Sequence, residues 1–162
     1  MLFRSGPPIG QIRLFDRFIF VDWSARSKPK AGKDSVWIAV GDSASQELAN
    51  PRTRELAIAH VRELLLGAVR SRQRILVGFD FPYGYPVDFA DAVGLRAGEP
   101  PWRRTWTELS RLVVDGPNNA NNRFDVASGL NHRLGDAPGP FWGCPPSAAR
   151  PAVAPTKGAS HT

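Results

Sequence analysis

"RILVGFDFP", residues 74–82, runs from a basic residue through Ile75, Leu76 and Val77 to a carboxylate, Asp80, and on to Pro82. A short unbroken apolar run bounded by turn-forming residues predicts a buried β-strand. The strand ends on a charge, and the backbone beyond it is restricted. Pro82 and Pro86 favour extended conformations in the residues before them, and Gly84 permits a turn between the two. Phe79, Phe81, Tyr83 and Tyr85 are positioned along the chain to wall a site around Asp80.

The segment before it, "PRTRELAIAHVRELLLGAVRSRQ" (51–73), is the clearest helix. Pro51 suits a first turn. Leu56, Ala59, Leu64 and Ala68 mark an apolar face, widened by Leu65 and Leu66. Further back, "RFIFVDW" (17–23) reads as a strand whose run Phe18–Val21 leads into Asp22. "SARSKPKAGK" (24–33) is a basic loop, and "DSVWIAVG" (34–41) is a second strand, antiparallel to the first. A weaker third strand lies near 45–48. Strand, helix and strand make a right-handed crossover, so the strand at 74–82 runs parallel to the first. Three antiparallel strands, a helix and a parallel fourth strand form the opening of a ribonuclease H-like mixed sheet, followed by helices.

Those helices are expected at 86–96, at 102–115 and at 118–134. The second would align Trp102, Trp106, Leu109 and Val113. The third would align Phe124, Ala127, Leu130 and Leu134. From Cys144 the chain turns to Pro and Ala without periodicity, which predicts a disordered tail. The organisation expected is one domain over 1–143 and a tail over 144–162. No strand is expected after residue 82, so the fold reads as trimmed or as part of a longer one.

The 162 residues are 42% hydrophobic, enough for one domain with a core. The net charge of +6 and the isoelectric point near 10.2 point to a polyanionic partner, nucleic acid or a phosphorylated small molecule. The single cysteine, Cys144, excludes an internal disulfide, and no Cys/His spacing suits zinc. No run reaches the roughly 18 apolar residues of a membrane span. "MLFRSGPPIG" lacks the apolar core of a signal peptide, so a cytoplasmic location is expected.

Asp22 and Asp80 close the apolar runs of two strands expected to be parallel neighbours, about 4.8 Å apart. Open α/β sheets bind ligands at these carboxyl ends. Two adjacent carboxylates repel, so a proton or a cation must share the site. Mg²⁺ or Mn²⁺, held by both acids, water and substrate phosphate, is the expected answer and would support phosphodiester cleavage. Asp125 is the first choice for a third catalytic acid. Glu55 and Glu63 read as solvated helix charges, and Asp34 as the start of a strand. Arg26, Lys28, Lys30 and Lys33 would grip phosphate beside the metal, with Arg123 as a further contact. "AGKDS" is not a Walker loop: Ser27 stands where its first glycine is required, and Asp34 follows Lys33. "NNANN" (118–122) has more asparagine than a helix cap needs, which indicates a polar site or a hydrogen-bonded loop lock. His60 and His132 lack metal-ligating company. The five tryptophans read as core and loop anchors.

"FVDWSA", "DSVWIAV", "GFDFPYGYP", "NNANNRFDVA" and "GPFWG", in that order, resemble an uncharacterised bacterial family of predicted nucleases with a ribonuclease H-like fold. Some of its members carry names from molybdopterin-guanine dinucleotide or cobalamin biosynthesis. The resemblance runs from about residue 17 to 143. It implies that Asp22 and Asp80 match the family's strand-end acids and that Asp125 falls in its Asn-rich motif. Members of the family continue past "GPFWG" with further strands and helices. Two other readings stand beside the nuclease: phosphoryl transfer on a small molecule by the same acids, and an inactive or partner-binding domain.

Overall fold

Four strands and one long helix account for the first 80 residues. They are β1 (Arg17–Asp22), β2 (Trp37–Gly41), β3 (Gln46–Ala49), α1 (Arg54–Arg70) and β4 (Ile75–Phe79). The computed structural model describes residues 13–24, 26–135 and 139–155. The sheet order is β3-β2-β1-β4. β1 pairs antiparallel with β2, β2 antiparallel with β3, and β1 parallel with β4. The expected α/β class, with three antiparallel strands and a parallel fourth, is therefore present.

Strand periodicity divides the sheet into two unequal faces. Ile19, Val21, Ile38 and Val40 point to one side and are buried with Ala57 and Val61 of α1; Leu64, Ile75 and Val77 pack against them. Each such side chain contributes about 1.5–3 kcal/mol by leaving water. The opposite face carries Phe18, Phe20, Leu48 and Leu76, all exposed, with Phe20 at 53%. β1 is thus buried on one face only, although its apolar run alone suggests a strand covered on both. The helix differs as well. Its buried stripe is Ala57, Val61 and Ala68, with Leu64 partly buried beside them, while Leu56 is exposed. Small and β-branched residues let α1 lie close on the sheet, and the larger Leu56 turns outward. α1 begins after Pro51, because the Thr53 side chain accepts a bond from the Leu56 N–H at 3.2 Å and caps it.

The chain divides between Asp80 and Phe81 into two compact units, where the sequence suggests one domain to residue 143. The second unit holds α2 (Phe89–Ala92), α3 (Pro101–Leu112), α4 (Arg123–Leu134), β5 (Trp142–Cys144) and β6 (Ala154–Pro155). Phe89, Val93 and Leu130 form its core, with Leu95, Leu109, Leu112, Val126, Leu134 and Phe141 packed around them. α2 is shorter than expected and stops at Gly94, whose φ of 74° is left-handed. α4 starts at Arg123 rather than 118, because Asn118 and Asn119 adopt left-handed φ values of 57° and 66° in a 3₁₀ turn.

Residues 144–155, expected as tail, are placed against α4. β5 pairs parallel with β6. Asn131, fully buried, donates to the carbonyls of Phe141 (2.9 Å) and Ala152 (2.6 Å) and accepts from the Phe141 N–H (3.2 Å). Ser128 donates to the Pro151 carbonyl. Proline-rich chain has few donors of its own, so its order depends on acceptors captured by a neighbour. Residues 156–162 lie outside the described residues.

Candidate metal and phosphate site

Asp22 is the last residue of β1, and Asp80 follows the last residue of β4. The parallel register matches Phe18 with Leu76, Phe20 with Gly78 and Val21 with Phe79. Its next step matches Asp22 with Asp80. The ladder extends into that step, since the Asp80 N–H donates to the Val21 carbonyl at 3.2 Å. By alternation, both carboxylates belong to the face that carries Phe18 and Phe20, away from α1. Gly78 allows the close fit below them: a Cβ there would lie 2.8 Å from the Phe20 ring.

Asp80 is held from the backbone. The Trp23 N–H donates to its Oδ1 at 2.7 Å. The Trp23 ring packs edge-on against Phe79, with centroids 6.5 Å apart, so the residue that orients Asp80 is itself anchored on the core. Asp22 interacts with Asp80 directly. Its carboxyl is raised above the ordinary 3.8, first by desolvation, then by hydrogen bonding and repulsion from Asp80. The pair therefore favours a shared proton or a cation.

Among the described residues no group of three or more His, Cys, Asp or Glu side chains stands close enough to hold a metal ion. Asp125 is in the second unit, at the start of α4, where an ion pair with Arg150 lowers its pKa. Glu55 and Glu63 are exposed on α1, as are His60 on α1 and His132 on α4. Two carboxylates suit Mg²⁺ or Mn²⁺, which retain waters and take one or two protein carboxylates plus substrate phosphate.

The basic loop leaves β1 directly after this pair. Arg26 and Lys30 both reach the Asp34 carboxylate, at 3.2 and 3.5 Å. Asp34 is thus a loop acid with φ of 58° rather than a strand residue. Lys28 and Lys33 are exposed. Two residues outside the expected site shape the loop. Asn50 accepts from the Gly32 N–H (2.6 Å) and donates to Ser35 Oγ (2.8 Å) and the Val36 carbonyl (2.6 Å). Arg54, buried at the first turn of α1, donates to the Arg26 carbonyl at 2.8 Å. An asparagine just ahead of a helix cap, and an arginine where the dipole favours acids, are the sequence signals for these anchors.

Arg123 belongs to the second unit. Its guanidinium lies 4.4 Å over the Phe124 ring and donates to Asn121 Oδ1 at 2.9 Å. The asparagine cluster works as a loop lock. Asn122 accepts from the Val114 N–H (2.8 Å) and donates to the Leu112 carbonyl (2.9 Å), which ties the end of α3 to the start of α4.

No family model, no curated protein and no solved structure matches this chain.

Proposed function

We propose that the chain is a ribonuclease H-like domain that hydrolyses phosphodiesters with Mg²⁺ or Mn²⁺ at Asp22 and Asp80. One observation supports this most: two carboxylates at matching ends of adjacent parallel strands, one oriented by a backbone N–H and the other carrying a raised pKa. Such a pair costs stability unless a positive charge joins it, which is the signature of a functional site. The bound ion would polarise the phosphate and activate water. Asp22 and Asp80 would hold the ion, with Asp80 kept in place by Trp23. Arg26, Lys28, Lys30 and Lys33 would bind flanking phosphates.

The test is Asp80→Asn, which preserves an oxygen for the Trp23 N–H and so spares the fold. The unaltered chain should cleave a mixed panel of nucleic acids and nucleotides only with Mg²⁺ or Mn²⁺. The variant should lose at least about 100-fold in rate, the scale of removing one charge-stabilising group. Equal rates would refute the assignment. Within the panel, cleavage of nucleotides alone would favour phosphoryl transfer on small molecules.

A second reading, a partner-binding domain without catalysis, is favoured by the open sheet face, where Leu48 is 72% and Phe20 53% exposed. Calorimetric titration separates the two. Heat of Mg²⁺ binding at millimolar metal, lost in Asp80→Asn, supports the enzyme; no heat supports the binding domain.

A further inference from the structure

The face of the sheet opposite α1 repeats in rows set by strand register. Asp22 stands beside Trp37, Phe20 between Ala39 and Gly78, and Phe18 between Gly41 and Leu76. Phe20 and Phe18 therefore lie two and four residues along β1 from Asp22 and on its face, about 7 and 13 Å away. Phe20 is 53% exposed, and both of its cross-strand neighbours are small. Its ring occupies the space that a side chain at 78 would fill, since a Cβ there would meet two ring carbons at 2.8 and 3.0 Å. The ring thus leans across β4 and keeps surface open to solvent. Phe18 is 36% exposed and braced edge-on by Phe15, with centroids 6.2 Å apart. Single exposed apolar residues are ordinary, but two aromatic rings in line with a carboxylate pair form a contiguous patch.

At the Asp22 end of these rows, the Trp37 indole N–H donates to the Gly32 carbonyl at 3.1 Å and ties the basic loop at 24–33 to the sheet. Aromatic rings on a sheet face beside a cationic segment suit unpaired bases, which stack on the rings while their phosphates meet the cations. We infer that Phe20 and Phe18 form a stacking platform for single-stranded nucleic acid, the strand that Asp22 and Asp80 would cleave. A base inside a duplex is covered by its neighbours and reaches Phe20 only by leaving the stack, at a cost in free energy. A mononucleotide occupies one row, whereas a strand spans the distance from Phe18 to the carboxylates. The choice of substrate rests on the hydrolysis proposed above, whereas the stacking contact stands without it.

The test is fluorescence anisotropy on the full chain in EDTA. The probes are an oligothymidylate of about 12 nucleotides, within the span of one single-strand site, an abasic strand with the same phosphates, and a duplex of the same length. The base-bearing single strand should bind about fivefold or more tightly than either control. Phe20→Leu keeps apolar bulk and removes the ring. It should weaken the single strand by about fivefold or more, the low end of one base–aromatic stack, and leave the abasic strand unchanged. Phe20→Trp, which restores a ring, should bind at least as well as the parent. In the unaltered chain, intermolecular NOEs should connect thymine protons with the Phe20 ring, a measurement that stands even where a variant fails to fold. Equal affinity for base-bearing and abasic strands, a preference for duplex, or a Phe20→Leu chain that binds like the parent would overturn the platform. Self-association of the parent that Phe20→Ser abolishes would assign the face to a protein contact and overturn it as well. Cleavage with Mg²⁺ is read separately against Asp80→Asn. Stacking without cleavage upholds the platform and refutes the hydrolysis, and cleavage without stacking refutes the platform alone.

Discussion

Asp22 and Asp80 oppose each other energetically. The Asp22 carboxyl has a folded pKa raised above 3.8, so the folded chain holds that proton at pH values where the unfolded chain has released it. Stability contributed by this group is therefore greatest below pH 3.8 and falls as pH rises through the folded value. Asp16 behaves in the opposite sense. Hydrogen bonds from Arg74 bring it down to about 2, so its contribution is present above 3.8 and fades as pH falls toward 2. We predict that Asp22→Asn stabilises the metal-free protein at neutral pH by up to about 1 kcal/mol, a value reduced by solvent screening at this exposed site. Urea melts from pH 3 to 7 should show the two proteins converging at the acidic end. Saturating Mg²⁺ should reverse their order, because a ligand that binds only the native state stabilises it by mass action. A variant less stable than the parent without metal would remove the argument for a repelling pair.

The elements that carry strong periodicity were legible, and those that depend on partners were not. β1, β2, β4 and α1 follow from apolar runs and a capped helix, and the parallel placement of β4 follows from the crossover rule. With them came the pairing of Asp22 and Asp80, since both are defined by where a strand ends. The position of α1 was shifted in rotation, because Leu56 and Ala57 both fit an apolar stripe and only packing selects the smaller residue. The order of residues 144–155 was illegible. It rests on Asn131, a polar residue whose role exists only when the Phe141 and Ala152 backbone comes beside it. Gly139 admits that approach, for a Cβ there would lie 2.2 Å from Asn131 Oδ1. Asn131→Ala leaves three part-buried backbone groups without their partner, and we predict a loss of about 2–4 kcal/mol. Gly139→Ala should destabilise by a similar amount, through collision rather than through lost bonds. The double variant should lose less than the sum of the two, since alanine at 131 removes the amide atoms that Gly139→Ala strikes and leaves only the Cβ, at 2.8 Å. Chemical denaturation of all four proteins measures this coupling, and full additivity would refute the shared cause.

At the scale of the whole molecule, the excess of 21 basic over 15 acidic residues is the basis of the proposed polyanion binding, and local pairing decides which cations would answer. The loop after β1 contains both the proposed phosphate ligands and an internal competitor. Asp34 takes Arg26 and Lys30 in partly exposed ion pairs, interactions weak enough to be exchanged for phosphate. Each phosphate neutralised releases counterions and steepens the salt dependence of binding, by about 0.7 per contact on single strands and 0.9 on duplexes. Asp34→Asn removes the competing charge while asparagine tolerates the left-handed backbone at that position. We predict that this variant binds a single-stranded oligonucleotide several-fold more tightly, with little change in slope, because the same cations reach the phosphates at a lower cost. Replacing Arg26, Lys28, Lys30 and Lys33 by glutamine should flatten the slope by up to about 3, which is four contacts at the single-strand value. Fluorescence anisotropy across a salt series, in EDTA so that no cleavage intervenes, reads both effects. A slope unchanged by the four replacements would move the polyanion site away from the loop and leave the carboxylate pair without its proposed phosphate grip.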